Sequence, residues 1–352
     1  MNKIASFTRK VEMLRDVIAE LQAESLMLSS QVTTSWLTGA RSFVNMAADA
    51  ACFKVMVTPE RVVVLVNNIE AMRLLEEEME GLPVEVEQYL WYEGEPSVKQ
   101  IITEDAMKDR LWKLQAVLDD YEAANLEQLS SEVTHSLETV LPQLQRGMTE
   151  FSVAGAVSRQ LWEKGIEPVV LLVGGDERSK LRRHALPTAN PVNEYMIVAV
   201  CGRRRGLIAS ATRSVSFGQP SADRIARHEA TCYIDALAIA HSKPGVSLGQ
   251  VLAVMKNGYE ARGYPDEWKQ HHQGGITGYR TRVRLATPVD TETLQAGMGV
   301  AWNPSIAGTK SEDTCLVTEN GGKILAAPSG NWPMVECTSA SGVIKRPGIF
   351  VI

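Results

Sequence analysis

Three histidines, an acidic pair and a set of arginines are the residues of this chain best equipped to do chemistry. His184 sits in KLRRHALPT, His271 and His272 open HHQGGITGYRTR, and Glu312 and Asp313 lie in KSEDTCLVT, a little beyond the Asn303–Pro304 step of WNPS. An imidazole with its ordinary pKa of about 6.5 can take and give a proton at neutral pH. Arg213, Arg280 and Arg282 occur close to these motifs, with Arg182–Arg183 and Arg203–Arg205 nearby. Guanidinium groups offer bidentate contacts to carboxylate or phosphate. Some of these arginines are expected to be solvated turn residues, and Arg203–Arg205 to cap a hairpin. The glycines Gly274, Gly275 and Gly278 do not make a phosphate loop, because the stretch lacks a Lys-Ser/Thr ending and follows the turn YPDEW. Cys201 lies in an apolar strand, a setting for an inert buried thiol and not for a nucleophile.

The elements that must position these groups are legible from pattern. Val11, Leu14, Ile18 and Leu21 share one helical stripe over 8–24, and SLMLSS then reads as a strand leading into SWLTGAR. AACFKVMVT and RVVVLVNN are β-rich runs separated by Pro59–Glu60, a hairpin signal, and IEAMRLLEEEME reads as an exposed acidic helix. A polar helical stretch covers about 104–140, Thr149 caps a helix begun by Glu150, and further helices are expected at 221–241 and 246–262. PVVLLVGG, EYMIVAVCG, GLIASATRSVSFG, MGVAWNPS and DTCLVT read as strands. No low-complexity tract and no internal repeat stands out.

Composition bounds the rest. The 352 residues, 45% hydrophobic and 22% charged, can bury two full cores. A net charge of −6 argues against general nucleic-acid binding and against a polybasic membrane anchor. No apolar run approaches the roughly 20 residues of a membrane span, and the first residues lack the apolar core of a signal peptide. A cytoplasmic protein is therefore expected. Its five cysteines are odd in number, widely spaced and without zinc-type pairing.

The stretch AGMGVAWNPSIAGTKSEDTCLVTENGG resembles the dinuclear metal-binding segment of the pita-bread family, which includes methionine aminopeptidase, prolidase, aminopeptidase P and creatinase. WLTGAR at 36–41 is similar to a motif of the N-terminal domain of creatinase and prolidase. The resemblance implies an α/β creatinase-like N-terminal domain over 1–120 and an α+β pita-bread domain over 121–352. It also implies a degenerate metal site. The family's Glu before proline is Asn303 here, its first Asp falls on Val200 or Ala199, and its second on Ser210. The ligand His corresponds to His271 or His272, and Tyr279 and Arg280 stand near the place of a missing His-Glu. One His and Glu312 remain of five ligands, so no metal and no other cofactor is expected. Carboxylates crowded together without a cation would repel one another, which makes their joint replacement physically consistent.

By the same resemblance, His184 matches the general acid–base of creatinase, with His272 and Glu312 as further catalytic groups. His271, Asn303, Ser210, Arg213, Tyr279, Arg280 and Arg282 are the expected substrate-binding residues, and the glycines are expected to allow close backbone approach to a ligand. Arginines around a pocket that has shed its carboxylates imply an anionic small-molecule substrate. The implied activity is metal-independent hydrolysis of a C–N bond in a small amidine, guanidino or amide compound. A metal-dependent Xaa-Pro dipeptidase or aminopeptidase with an unconventional site, and a silent binding protein, are the alternatives. Relatives with the extra domain imply a homodimer, for which Trp36, Trp91 and Tyr92 are contact candidates.

Overall fold

The structure, a computed structural model, describes residues 1–352 except 99, 327, 328 and 341. The chain divides into two compact units: Met1–Glu122 with Arg205–Leu207, and Ala123–Arg204 with Ile208–Ile352.

The first unit begins with a helix, Lys3–Glu20, whose N-cap Asn2 accepts from the Ala5 amide, so it starts earlier than its apolar stripe alone suggests. Strands β1 (Ser25–Ser30), β2 (Ala50–Val57), β3 (Val62–Asn67), β4 (Glu85–Tyr89) and β5 (Ile101–Thr103) form one sheet in the order β4-β3-β2-β1-β5. The expected hairpin joins β2 to β3, pairing Val57 with Val62. IEAMRLLEEEME forms only a short helix, Ala71–Arg73, running into a π-helical turn, Leu74–Glu78. That segment is not wholly exposed as expected, for Leu74, Glu78 and Met79 are buried. Glu78 is held inside because its carboxylate accepts from the backbone and side chain of Arg41. Trp36 is core, 1% exposed, and its carbonyl accepts from Lys10.

The second unit carries the residues of chemical interest. Strands β6 (Glu167–Gly175), β7 (Tyr195–Arg204) and β8 (Leu207–Ser216) form a sheet that ends with a late strand. Arg205 and Gly206, both at positive φ, turn β7 into β8, as a tight two-residue hairpin requires. A second sheet is built from β9 (Gly274–Thr277), β10 (Arg284–Leu285), β11 (Gly299–Trp302), β14 (Thr314–Thr318) and β15 (Gly321–Ile324), in the order β10-β9-β11-β14-β15. The small ribbon of β12 (Ser305–Ile306) and β13 (Thr309–Lys310) interrupts the run from β11 to β14. Helices Ala222–His241 and Leu248–Ala261 follow the expected bounds, with caps at Ser221 and at a Ser247/Gln250 capping box.

Three strands lie in sequence that pattern reading left unassigned: β16 (Met334–Ser339), β17 (Gly342–Pro347) and β18 (Ile349–Val351). The last of these pairs in parallel with β8. Gly274 and Gly275 of HHQGGITG pack closely against neighbouring strands. A Cβ on Gly274 would stand 2.2 Å from the Ala301 carbonyl, and one on Gly275 2.1 Å from the Arg284 carbonyl. At both positions the close approach is strand against strand.

Candidate active site

His184 lies in the loop after the helix Asp176–Leu181, and Glu150 ties that loop down on both sides of it. Glu150 is fully buried at the start of the helix that Thr149 caps. Its Oε1 accepts from the Gly175 amide at 2.8 Å and from Arg178 at 3.0 Å, while Oε2 accepts from the Thr188 amide and hydroxyl at 2.9 and 2.6 Å. Arg178 donates onward to the Leu186 carbonyl, and the Val173 amide of β6 to the Ala185 carbonyl. A carboxylate and two backbone bonds thus fix the segment on either side of His184.

His271 follows the 3-10 turn Glu267–Gln270. Gln273 holds it by donating to its carbonyl at 2.7 Å, and Tyr259 donates to Gln273 in turn. The ligating nitrogens of His184, His271 and His272 lie within 4.8 Å of one another. Nε2 of His184 is 3.0 Å from Nε2 of His271, which also lies 3.4 Å from Nδ2 of Asn303, and Nδ1 of His271 is 3.2 Å from the Ser305 hydroxyl. These contacts assign the tautomers. An amide NH2 only donates, so Nε2 of His271 accepts and its proton sits on Nδ1, facing Ser305. His184 then donates through Nε2, and its lone pair resides on Nδ1.

A cavity of about 280 Å³ opens beside this cluster, with His184, His272, Ala199, Cys201, Arg282, Asn303, Lys310 and Glu312 in its wall. Ala199 and Cys201 alternate with Val200, which is fully buried on the opposite face of β7. Ala199, then, is the cavity-facing residue of the two positions considered for the first ligand. Ser210 contributes indirectly: its hydroxyl is 3.3 Å from the Cys201 sulfur and accepts from Arg282 at 3.4 Å. Burial pushes the Cys201 thiol up, as expected of an inert cysteine.

Glu312 is the one carboxylate in this wall, and both its oxygens are engaged. Oε1 accepts from Arg282 Nη2 at 2.7 Å; Oε2 lies 2.7 Å from Lys310 Nζ and accepts from Thr212 at 2.8 Å. Although burial opposes the charged form, Lys310 and Arg282 hold the carboxyl well below the usual range. Glu312 therefore stays ionised as a counter-charge. Burial lowers all three imidazoles and the Lys310 charge adds to it, taking His272 to about 4, where Arg282 contributes more than Lys310, and His271 to about 2, with His184 also lowered. All three are neutral at pH 7.

Other expected site residues are not brought together here. Arg213 is fully buried, its Nε donating to Glu138 at 2.7 Å and its Nη1 to Asp313 at 3.0 Å. Alternation along β8 explains the separation, since Thr212 faces Glu312 and Arg213 faces Asp313. Asp313 also pairs with Arg346 at 2.8 Å, which pairs with Asp235. Tyr279 is buried and Arg280 exposed, and neither lines the cavity. Sequence reasoning missed Lys310 and the role of Glu150. The i, i+2 spacing of Lys310 and Glu312 in an extended run was the available signal for the first. Glu150 showed nothing beyond its place in a helix's first turn.

The sequence pattern of metallopeptidase family M24 matches residues 125–319, more than half of the chain. The chain belongs to metallopeptidase family M24. This M24 protein is 21% identical to the uncharacterized peptidase YqhT of Bacillus subtilis over 347 residues, covering 90% of this chain and 97% of that one. It is also 21% identical over 223 residues to an uncharacterized peptidase of Staphylococcus aureus strain MW2, covering 60% of this chain and 63% of the relative's length. Its fold is shared with the prolidase of Pyrococcus horikoshii, at a TM-score of 0.76 and 17% identity, over 92% of this chain and 99% of that one. The pita-bread assignment and the two-part α/β and α+β fold class are thereby established. Among the described residues, no helix is long and apolar enough to cross a membrane.

A family of metallopeptidases implies a metal centre, and the donor set of this M24 protein does not fit a dinuclear one. Ala199, Ser210 and Asn303 bring no negative charge, and the two oxygens of Glu312 are already taken by side-chain cations. Divalent ions need several oxygen or nitrogen donors, with anionic ones among them for hard ions.

Proposed function

We propose that this protein is a metal-independent hydrolase of a C–N bond in a small anionic amide, amidine or guanidino compound. The observation that carries the reading is His184 in the cavity wall, its Nε2 3.0 Å from Nε2 of His271, beside a carboxylate already paired with Lys310 and Arg282. His184 Nδ1 takes a proton from water as the water oxygen bonds to the substrate carbon. The C–N bond then breaks with its electron pair on nitrogen, and His184 returns the proton to that leaving group. His271 accepts the Nε2–H of His184 and keeps the ring in this orientation, while His272 and Asn303 line the substrate's place. We further propose a homodimer acting on a small molecule, with Trp91 and Tyr92, 62% and 65% exposed, as contact candidates.

The test is hydrolysis of small N-acyl and N-amidino acids by protein dialysed against chelator, with metal content measured alongside. Turnover that survives chelation and disappears in His184→Ala supports the proposal. A second reading draws on the three clustered imidazoles, which could hold a single divalent ion for a peptidase. Stoichiometric metal, with activity lost on chelation and restored by the ion, would select it.

A further inference from the structure

We infer that Lys310 and Arg282 are a resident pair of cations standing where the family places metal ions, and that they select a carboxylate-bearing substrate with an N–H at its scissile bond. The inference rests on the functional reading above and names the substrate class.

Glu312 bridges two cations, one on each oxygen: Arg282 at 2.7 Å and Lys310 at 2.7 Å. Counting one carboxylate, two cations and two neutral imidazoles, the cavity wall keeps one positive charge to spare. An ammonium has three donors, and among the described residues Glu312 is the only partner of Lys310 Nζ. Two further atoms of the wall residues are buried and unpartnered, the donor Arg282 Nε and the acceptor Asn303 Oδ1. Buried polar groups left unpaired are costly, so a ligand that satisfies them gains both affinity and selectivity. An anionic oxygen suits Lys310 and Arg282. An N–H suits Asn303.

An N-acyl or N-amidino amino acid offers both groups. A peptide bond to proline has no N–H and would leave Asn303 Oδ1 unmatched, so the site selects against Xaa-Pro substrates despite the shared fold.

The experiment is calorimetric binding to the full chain, under chelator, of N-acetylglycine, its methyl ester, N-acetylsarcosine and guanidinoacetate. The ester removes the anion, and N-acetylsarcosine removes the N–H. N-acetylglycine and guanidinoacetate are expected to bind, and the ester and N-acetylsarcosine to bind at least tenfold more weakly than N-acetylglycine. In Lys310→Met the preference for acid over ester should fall at least tenfold. Equal binding of acid and ester by the unaltered protein, unchanged discrimination in a folded Lys310→Met, or no binding of either acid would overturn the inference. The ester comparison needs no variant and stands even if Lys310→Met does not fold. Selective binding without turnover would reject the hydrolase reading alone. Turnover indifferent to Lys310→Met would reject the cation pair and leave the hydrolase reading intact.

Discussion

The neutrality of His184 decides what it can do. Its lone pair lies on Nδ1 only because Asn303 and His271 fix the proton positions of the neighbouring ring. His184→Ala is expected to lower turnover by about 10²–10⁴-fold with little change in thermal midpoint, measured by steady-state assay and calorimetry. Replacing Asn303 with Asp places a second carboxylate near Glu312 and Lys310, which should draw the imidazoles toward protonation. The acid limb of the kcat/KM profile should then move to higher pH, and an unmoved limb would separate Asn303 from the titrating ring. At this scale the sequence named part of the candidate site's wall. His184, His272, Asn303 and Glu312 stand together as motif reading placed them, whereas Lys310 escaped it because no motif names a lysine at that position. Arg213 looked like a substrate ligand because proximity in sequence does not reveal which face of a strand a side chain takes.

Among the elements, the loop that carries His184 depends on a helix far from the cavity in sequence. Glu150 collects bonds from β6, from Arg178 and from Thr188, and it is fully buried. Glu150→Ala would strand Arg178 and the amides of Gly175 and Thr188, at a cost of about 3–5 kcal/mol, read from denaturant unfolding. Its effect on turnover should exceed its effect on substrate affinity, because the general base moves while the Lys310–Glu312–Arg282 group stays put. Strand and helix positions were readable wherever periodicity or a cap announced them, as at Thr149, Ser221 and the β2–β3 hairpin. The strands β16 to β18 were not, because their stability comes from pairing with distant partners such as β8 and not from a pattern of their own.

For the whole molecule, buried neutral histidine sets an acid limit on stability. His228 is fully buried, with Nε2 2.9 Å from the Pro347 carbonyl, and burial lowers its pKa to about 4. Above about pH 6.5 the ring is neutral whether the chain is folded or not. As pH falls, the unfolded chain takes the proton first, so stability is lost from about pH 6.5 down through pH 4, by up to about 3 kcal/mol. Asp235, raised by burial to about 6 despite Arg346, acts in the opposite direction over part of that range. The His228 share is therefore read as the difference in pH slope between the unaltered protein and His228→Gln, whose profile should be flatter. The fold class was legible because several motifs occurred in family order; the charge network beneath it was not, since its members are scattered from Glu138 to Arg346. That scatter governs when the molecule can form. Asp313 has Arg213 as well as Arg346, but among the described residues Arg346 is the one cation paired with Asp235, so until synthesis has passed it that carboxylate lacks its counter-ion. During translation the first unit can acquire its sheet while the second is still being made. The second must wait for Arg346, 111 residues beyond Asp235, before its interior is electrically complete.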